Sequence, residues 1–136
     1  MLTHEIVAAA AHSINGTNVE NCSLNRRVAV GVKNGGVDDT DAWVILDFSD
    51  GTARLREVRH CGPLSDADSA LDVALVIFAE SSVWRQFGEG GFDSVIAAAD
   101  ARNVVVTGKL AYFIRHVRSS VDLMVLFGRL FVRYSL

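Results

Sequence analysis

The stretch LAYFIRHVRSSVDLMVLFGRLF, residues Leu110 to Phe131, carries apolar side chains at steps of three and four residues. This spacing places them on one side of an α-helix, so we expect one long helix with a wide apolar stripe. No acid, base or nucleophile is placed conspicuously within the stripe, which favours an apolar interior or a cavity over a reaction centre. The stripe consists of Leu110, Phe113, Ile114, Val117, Val121, Met124, Phe127, Gly128 and Phe131.

The 136 residues are enough for one domain with its own hydrophobic core, and residues 1–136 are interpreted as a single domain. Half of the residues are apolar and 21% are charged, which is typical of a globular protein. The formal net charge of −3 gives no reason to expect a nucleic-acid partner.

The charge is unevenly distributed along the chain. From Lys109 onward five basic residues stand against one acidic residue, a net charge of +4, whereas the preceding residues sum to −7. A basic amphipathic helix can approach an anionic membrane surface, and Arg115 and Arg118 are the candidates for such a transient contact. The alternative is a solvated helix face that pairs with acidic loops of the same molecule.

The sequence has no features typical of disulfide-bonded, membrane-spanning or metal-binding proteins. Cys22 and Cys61 have no metal-binding or redox spacing, and without a secretory signal we expect free thiols. No apolar run approaches the roughly 18 residues of a membrane span. The four histidines are dispersed and form no metal-binding spacing. The sequence therefore predicts a cytoplasmic protein without a cofactor or a metal ion.

The first half of the chain predicts one helix and three strands. Leu2 to Ile14 has helical spacing. Arg27 to Lys33 alternates and predicts a half-buried strand. Trp43 to Phe48 is apolar on both faces except at Asp47, as in a central strand, and Asp50-Gly51 forms a hairpin turn into Thr52 to Val58. Loops are expected around Gly35-Gly36 and from Gly62 to Ser69.

The second half predicts two strands and two short helices before the long helix. Leu71 to Ala79 is apolar enough for a strand buried on both faces. Ser81 or Ser82 can cap a helix that Gly88, Gly90 and Gly91 break. This helix carries Val83, Trp84 and Phe87, the next one (Asp93 to Asp100) carries Val95, Ile96 and Ala99 on one side, and Asn103 to Thr107 is the fifth strand.

The order and spacing of these elements are also those of a known family. The matching stretches are Asp47-Phe48-Ser49-Asp50-Gly51, Arg54-Leu55-Arg56-Glu57, Asp72-Val73-Ala74-Leu75-Val76-Ile77, Ser82-Val83-Trp84-Arg85-Gln86-Phe87, Val95-Ile96-Ala97-Ala98-Ala99-Asp100, Val104-Val105-Val106-Thr107-Gly108 and Leu126-Phe127. With these motifs the chain resembles the sterol carrier protein 2-like family of lipid-binding domains, over roughly Leu24 to Leu130.

The resemblance implies an α+β fold. Its five-stranded, mostly antiparallel sheet would have helices on one face and an apolar cavity between the sheet and the C-terminal helix. Members of the family bind acyl chains, sterols or other lipids without covalent chemistry. The ligand-binding residues expected here are Trp84, Phe87, Ile96, Phe113, Val117, Val121, Met124, Phe127 and Phe131.

Three functions are compatible with these features. The first is a carrier of an acyl, isoprenoid or sterol-like molecule. The second is an accessory or dimerisation subunit that serves a partner enzyme, with Trp43 and Ile45 on an open sheet face as the interface. The third is a small ketosteroid-isomerase-like enzyme, which would need Asp47 to act as an acid or base inside the pocket.

Overall fold

A computed structural model describes residues 4–19, 22–33, 42–60 and 73–134. The helices in these ranges are α1 (His4–His12), α2 (Ser81–Gly90), α3 (Phe92–Asp100), α4 (Leu110–Arg115) and α5 (Val117–Arg133). The strands are β1 (Thr17–Asn18), β2 (Arg27–Lys33), β3 (Ala42–Ser49), β4 (Thr52–His60), β5 (Leu75–Glu80) and β6 (Val104–Gly108). Cys61 and the loops predicted around Gly35-Gly36 and from Gly62 to Ser69 lie outside the described residues.

The strands form one mixed sheet in the order β1-β4-β3-β2-β5-β6. Within the described residues, β2 and β5 are parallel and the other neighbours are antiparallel. The predicted α+β architecture with a mostly antiparallel sheet is confirmed, but the described sheet has six strands instead of five. The additional strand is β1, whose two residues pair with Ala53 and Thr52 of β4. A pair this short leaves no alternation in the sequence.

The hairpin between β3 and β4 turns at Asp50-Gly51, as predicted. Both residues have positive φ values, 51° for Asp50 and 78° for Gly51. A tight two-residue hairpin turn of type I′ requires this geometry, because its twist matches that of the flanking strands. The turn therefore sets the register in which Ser49 lies opposite Thr52.

The sheet is buried on both faces at its centre. Val28, Val30 and Val32 of β2 pack toward the helices. Ala29 on the opposite face is also fully buried, so β2 is a central strand and the prediction of a half-buried strand was wrong. β2 lies between β3 and β5, and the apolar side chains of both neighbours cover its second face.

The face away from the helices has its own apolar cluster. Trp43 and Ile45 belong to it and are 6% and 0% exposed, and the Trp43 ring stacks on Phe78 with 5.3 Å between centroids. The expectation that Trp43 and Ile45 lie on an open sheet face was therefore wrong.

The helices begin and end differently from the sequence-based predictions. Helix α2 starts at Ser81, and its N-cap residue Glu80 makes no side-chain capping bond, so neither Ser81 nor Ser82 caps it. Gly88 and Gly90 lie within α2, which ends at Gly90 and is followed by the C-cap residue Gly91, where φ is 68°. In α3 the buried residues are Val95 and Ala98, whereas Ile96 and Ala99 are exposed.

Gly88 is needed inside α2 because α2 crosses α5 there at close range. A Cβ atom added to Gly128 of α5 would lie 2.6 Å from the Gly88 nitrogen and 2.5 Å from the Trp84 carbonyl oxygen. Side chains do not fit at this crossing, so the two backbones touch. The contact brings the aromatic residues of both helices into one cluster.

The predicted long helix is divided into α4 and α5. His116 interrupts it with φ −120° and ψ 31°, outside the helical region. The apolar stripe is therefore not continuous across this break. Leu110 and Ile114 in α4 are 68% and 65% exposed, while the stripe residues of α5 from Val121 onward are buried.

Replacing Gly128 should test the helix crossing. We expect Gly128→Val to lower the free energy of unfolding by about 3 kcal/mol or to prevent folding, because overpacked positions cost about 1–3 kcal/mol and the nearest atoms here are backbone. Urea denaturation followed by circular dichroism measures the change. Gln86→Ala, on the exposed side of α2, should change stability by no more than about 0.5 kcal/mol and is the control. A Gly128→Val variant as stable as the wild type would contradict the close approach.

Candidate functional site

The nine residues predicted to bind a ligand occupy three different environments. Six are buried in the core, Phe113 is partly buried, and Ile96 and Val117 are 42% and 40% exposed. The six buried residues are Trp84, Phe87, Val121, Met124, Phe127 and Phe131.

Four of the buried residues form an aromatic cluster between the sheet and α5. Trp84 meets Phe87 and Phe127 edge-on, with ring centroids 5.4 Å and 5.0 Å away. Phe131 stacks on Trp84 at 6.3 Å and meets Phe127 at 5.5 Å. These distances are typical of favourable aromatic pairs, so the rings are in direct contact with one another. The four rings therefore leave no room for a ligand between them.

Trp84 also connects the helices to the sheet. Its indole Nε1–H donates a hydrogen bond to the Gly31 carbonyl oxygen at 3.0 Å. A buried indole N–H needs such an acceptor, because an unpaired donor in the interior is costly. The bond therefore fixes the orientation of the largest side chain in the core.

A pocket whose lining is mostly apolar lies beside this core, between β5, β6 and α4. Its volume is about 270 Å³, and we call it the α4 pocket. Of the nine predicted residues, Phe113 lines it. The other lining residues come from the ends of both strands and the start of the helix, namely Leu75, Val106, Thr107, Gly108 and Leu110.

Gly108 positions α4 over the pocket. Its φ of 112° is rare for residues with a side chain, and a Cβ atom there would collide with the Ala74 carbonyl group. The Lys109 N–H then donates to the same Ala74 carbonyl oxygen at 2.8 Å. The chain can therefore leave β6 and turn at once into α4.

A polar network attaches α4 to the segment before β2. The Tyr112 hydroxyl accepts a hydrogen bond from the Asn25 N–H at 2.9 Å and donates to Asn25 Oδ1 at 3.2 Å. At the helix break, Ser23 Oγ lies 2.6 Å from His116 Nδ1, and the Ser23 N–H donates to Ser119 Oγ at 2.8 Å. Helix α4 is thus held by bonds to a residue 87 positions away, and the helix break by bonds across 93 and 96 positions.

Cys22 adjoins this network as a free thiol. Burial raises the pKa of the Cys22 thiol, and hydrogen bonds from Leu24 and Ser119 offset part of that effect. The protonated form is therefore favoured at neutral pH, which makes the thiol a poor nucleophile. The expectation of a free thiol is met at Cys22.

The one acid considered as a catalytic group points away from the pocket. Asp47 lies between Leu46 and Phe48, which face the helices, so alternation along β3 places its side chain on the opposite face. There its Oδ1 accepts from Arg27 Nε at 2.7 Å, and its Oδ2 lies 3.7 Å from Arg56 Nη1. The geometry required by the enzyme hypothesis is absent at Asp47.

Neither a metal-binding cluster nor a membrane-spanning helix is found in the described part of the chain. Residues 4–19, 22–33, 42–60 and 73–134 contain no group of three or more His, Cys, Asp and Glu side chains arranged to hold a metal ion. Over the same ranges, no helix combines the length and the apolar character needed to cross a bilayer. Arg115 and Arg118 lie on either side of the break at His116, and Arg118 is ion-paired with Asp122 at 3.5 Å.

Comparison with known proteins identifies the fold. No protein-family model and no curated protein sequence matches the chain. The crystal structure of sterol carrier protein 2 matches with a TM-score of 0.60 and 17% identity, over 93% of this chain and 95% of that chain. A solution structure from Thermus thermophilus, of a conserved hypothetical protein suggested to be a sterol carrier protein, matches with a TM-score of 0.53 and 14% identity, over 93% of this chain and 76% of that chain. The chain therefore has the fold of sterol carrier protein 2.

Proposed function

We propose that the chain binds a hydrophobic small molecule non-covalently and that the α4 pocket receives it. The observation that carries the proposal is the apolar lining of this pocket, formed by Leu75, Val106, Leu110 and Phe113. An apolar ligand gains about 25 cal/mol for each Å² of apolar surface removed from water. The fold adds support, because the matching crystal structure is that of a sterol carrier protein.

The size of the α4 pocket favours part of a flexible ligand over a large rigid one. Its 270 Å³ lies just below the range of about 300–1,000 Å³ that is usual for small-molecule sites. An acyl or isoprenoid chain can place one end in such a volume, whereas a complete sterol nucleus needs more room. We therefore expect a linear hydrophobic chain to bind more tightly than a sterol.

The aromatic cluster leaves no room for a ligand between its own rings. Trp84, Phe127 and Phe131 are at most 1% exposed and contact one another, so a ligand reaching them would have to displace packed rings. Of the nine predicted residues, Phe113 is therefore the one that meets the ligand in the α4 pocket.

The accessory-subunit alternative would use a different surface from the one first expected. Trp43 and Ile45 are buried, whereas Leu110, Ile114 and Val117 are exposed apolar residues along α4 and the start of α5. A partner enzyme would meet the chain there. Because Leu110 also lines the α4 pocket, a partner bound there would cover the pocket mouth.

Direct ligand binding is the first test. We expect the purified protein to release a lipid into an organic extract and to bind a fluorescent fatty acid saturably, with displacement by an unlabelled fatty acid. Mass spectrometry of the extract and a fluorescence titration measure these two results. A protein that carries no lipid and binds no probe, yet forms a stable dimer in native mass spectrometry, would replace the carrier function with the accessory function.

A pair of variants locates the site. Phe113→Asp should weaken probe binding about tenfold or more, because a buried carboxylate without a partner costs at least about 1.4 kcal/mol, equal to a factor of ten in affinity. Ile114→Asp adds the same charge to the same helix, but Ile114 is 65% exposed and does not line the pocket. It should bind the probe as the wild type does.

Circular dichroism of both variants shows whether they remain folded. If a folded Phe113→Asp protein bound the fatty acid with wild-type affinity, the α4 pocket would not be the site. Equal losses in the two variants would indicate a partner or membrane surface along α4 instead of a pocket.

A further inference from the structure

A second hollow lies on the opposite side of the final helix from the core, and we infer that it binds an anionic amphiphile independently of the α4 pocket. Its volume is about 510 Å³, within the usual range of about 300–1,000 Å³ for small-molecule sites. We call it the α5 groove. One wall is the edge strand β1 with Val19, another is the start of α3, and the floor is α5 itself. It shares no lining residue with the α4 pocket.

Apolar side chains form part of the floor and one wall of the α5 groove, next to the charged residues of α5. Leu126 is partly buried, Val125 is 8% exposed, and Phe92 at the start of α3 is 44% exposed although it is a large aromatic side chain. An alkyl chain laid along these residues would cover Phe92 and Leu126 and remove their apolar surface from water. This accounts for the hydrophobic half of the proposed ligand.

The charges in the groove are not balanced. Arg118 and Asp122, one turn apart on α5, form an ion pair at 3.5 Å, and the Arg118 guanidinium also lies 5.3 Å from the centre of the Phe92 ring. Arg129 makes no ion pair within residues 4–19, 22–33, 42–60 and 73–134. The lining therefore carries a net charge of +1, provided by an exposed guanidinium with donors available.

A guanidinium beside exposed apolar side chains favours one chemical class of ligand. The planar donors of Arg129 suit the oxygens of a carboxylate or a phosphate, which they can bind in a bidentate manner. A free anion would leave Phe92 and Leu126 exposed, and a neutral alkyl chain would not use the donors of Arg129. A single-chain amphiphile with an anionic head uses both features, with the head at Arg129 and the chain toward Phe92.

Three probes separate the two halves of the ligand. The protein is titrated with decanoate, with 1-decanol and with acetate, all below the concentration at which micelles form, and the backbone amides are followed by two-dimensional NMR. We expect decanoate to shift the amide resonances of Phe92, Leu126 and Arg129. Its affinity should be at least about tenfold higher than that of either other probe. That affinity should fall at 0.5 M salt, because salt screens the attraction between the carboxylate and Arg129. These shifts should be separate from any in α4.

Matched variants of α5 test the role of Arg129. Arg129→Gln should weaken decanoate binding at the groove about tenfold, equal to about 1.4 kcal/mol. Arg133→Gln removes the same charge one turn later, where Arg133 is exposed and does not line the groove, and it should leave the affinity unchanged. Both positions are on the surface, so both variants should fold.

The results also separate this inference from the proposed function. Phe113→Asp should leave decanoate binding at the α5 groove intact, whatever it does at the α4 pocket. Decanoate shifts confined to α4, equal binding of decanoate and 1-decanol at the groove, or an Arg129→Gln affinity equal to that of the wild type would overturn the inference. Binding of acetate as tightly as decanoate would overturn it as well, because it would show a simple anion site instead.

Discussion

The close approach of α2 and α5 at Gly88 and Gly128 is the contact on which the rest of the structure depends. Because neither position has a side chain, the helices come near enough for Trp84 of α2 to meet Phe127 and Phe131 of α5. The same placement lets the Trp84 indole reach the Gly31 carbonyl oxygen in β2. One backbone contact therefore determines how the helices are joined to the sheet. It also determines which part of the interior the aromatic cluster fills.

Because the centre of the core is filled, the candidate ligand sites lie at the margins of the core. The aromatic cluster occupies the centre, and the α4 pocket and the α5 groove lie at its sides, one under α4 and one outside α5. Each is built where a short element meets a longer one, and each is lined in part by a residue of the core, Leu75 in the α4 pocket and Val125 in the α5 groove.

The parts of the fold that follow local rules were predictable from the sequence, and the parts set by distant contacts were not. Asp50-Gly51 specifies its own turn, and the bounds of β2 agree with the alternation from Arg27 to Lys33. The break at His116 is different. It is accompanied by bonds to Ser23 and a Tyr112 bond to Asn25, residues 93 and 87 positions away, and helical periodicity contains no signal of them. Of the candidate site, Phe113 was predicted, whereas the α5 groove was not, because Arg118, Asp122 and Arg129 have the spacing of an ordinary solvated helix face.

The parallel pairing of β2 with β5 has a consequence for how the chain folds. Val28 pairs with Leu75, 47 positions later, in the middle of the sheet. The β3–β4 hairpin can form early because its two strands are joined by a two-residue turn, but the central pair must first close a long stretch of chain at a cost in entropy. Until β5 pairs with β2, one edge of β2 is unpaired and its apolar side chains remain exposed to water. The slow step of folding is therefore expected to be the docking of β5, and the incomplete sheet before that step is the species most prone to aggregate.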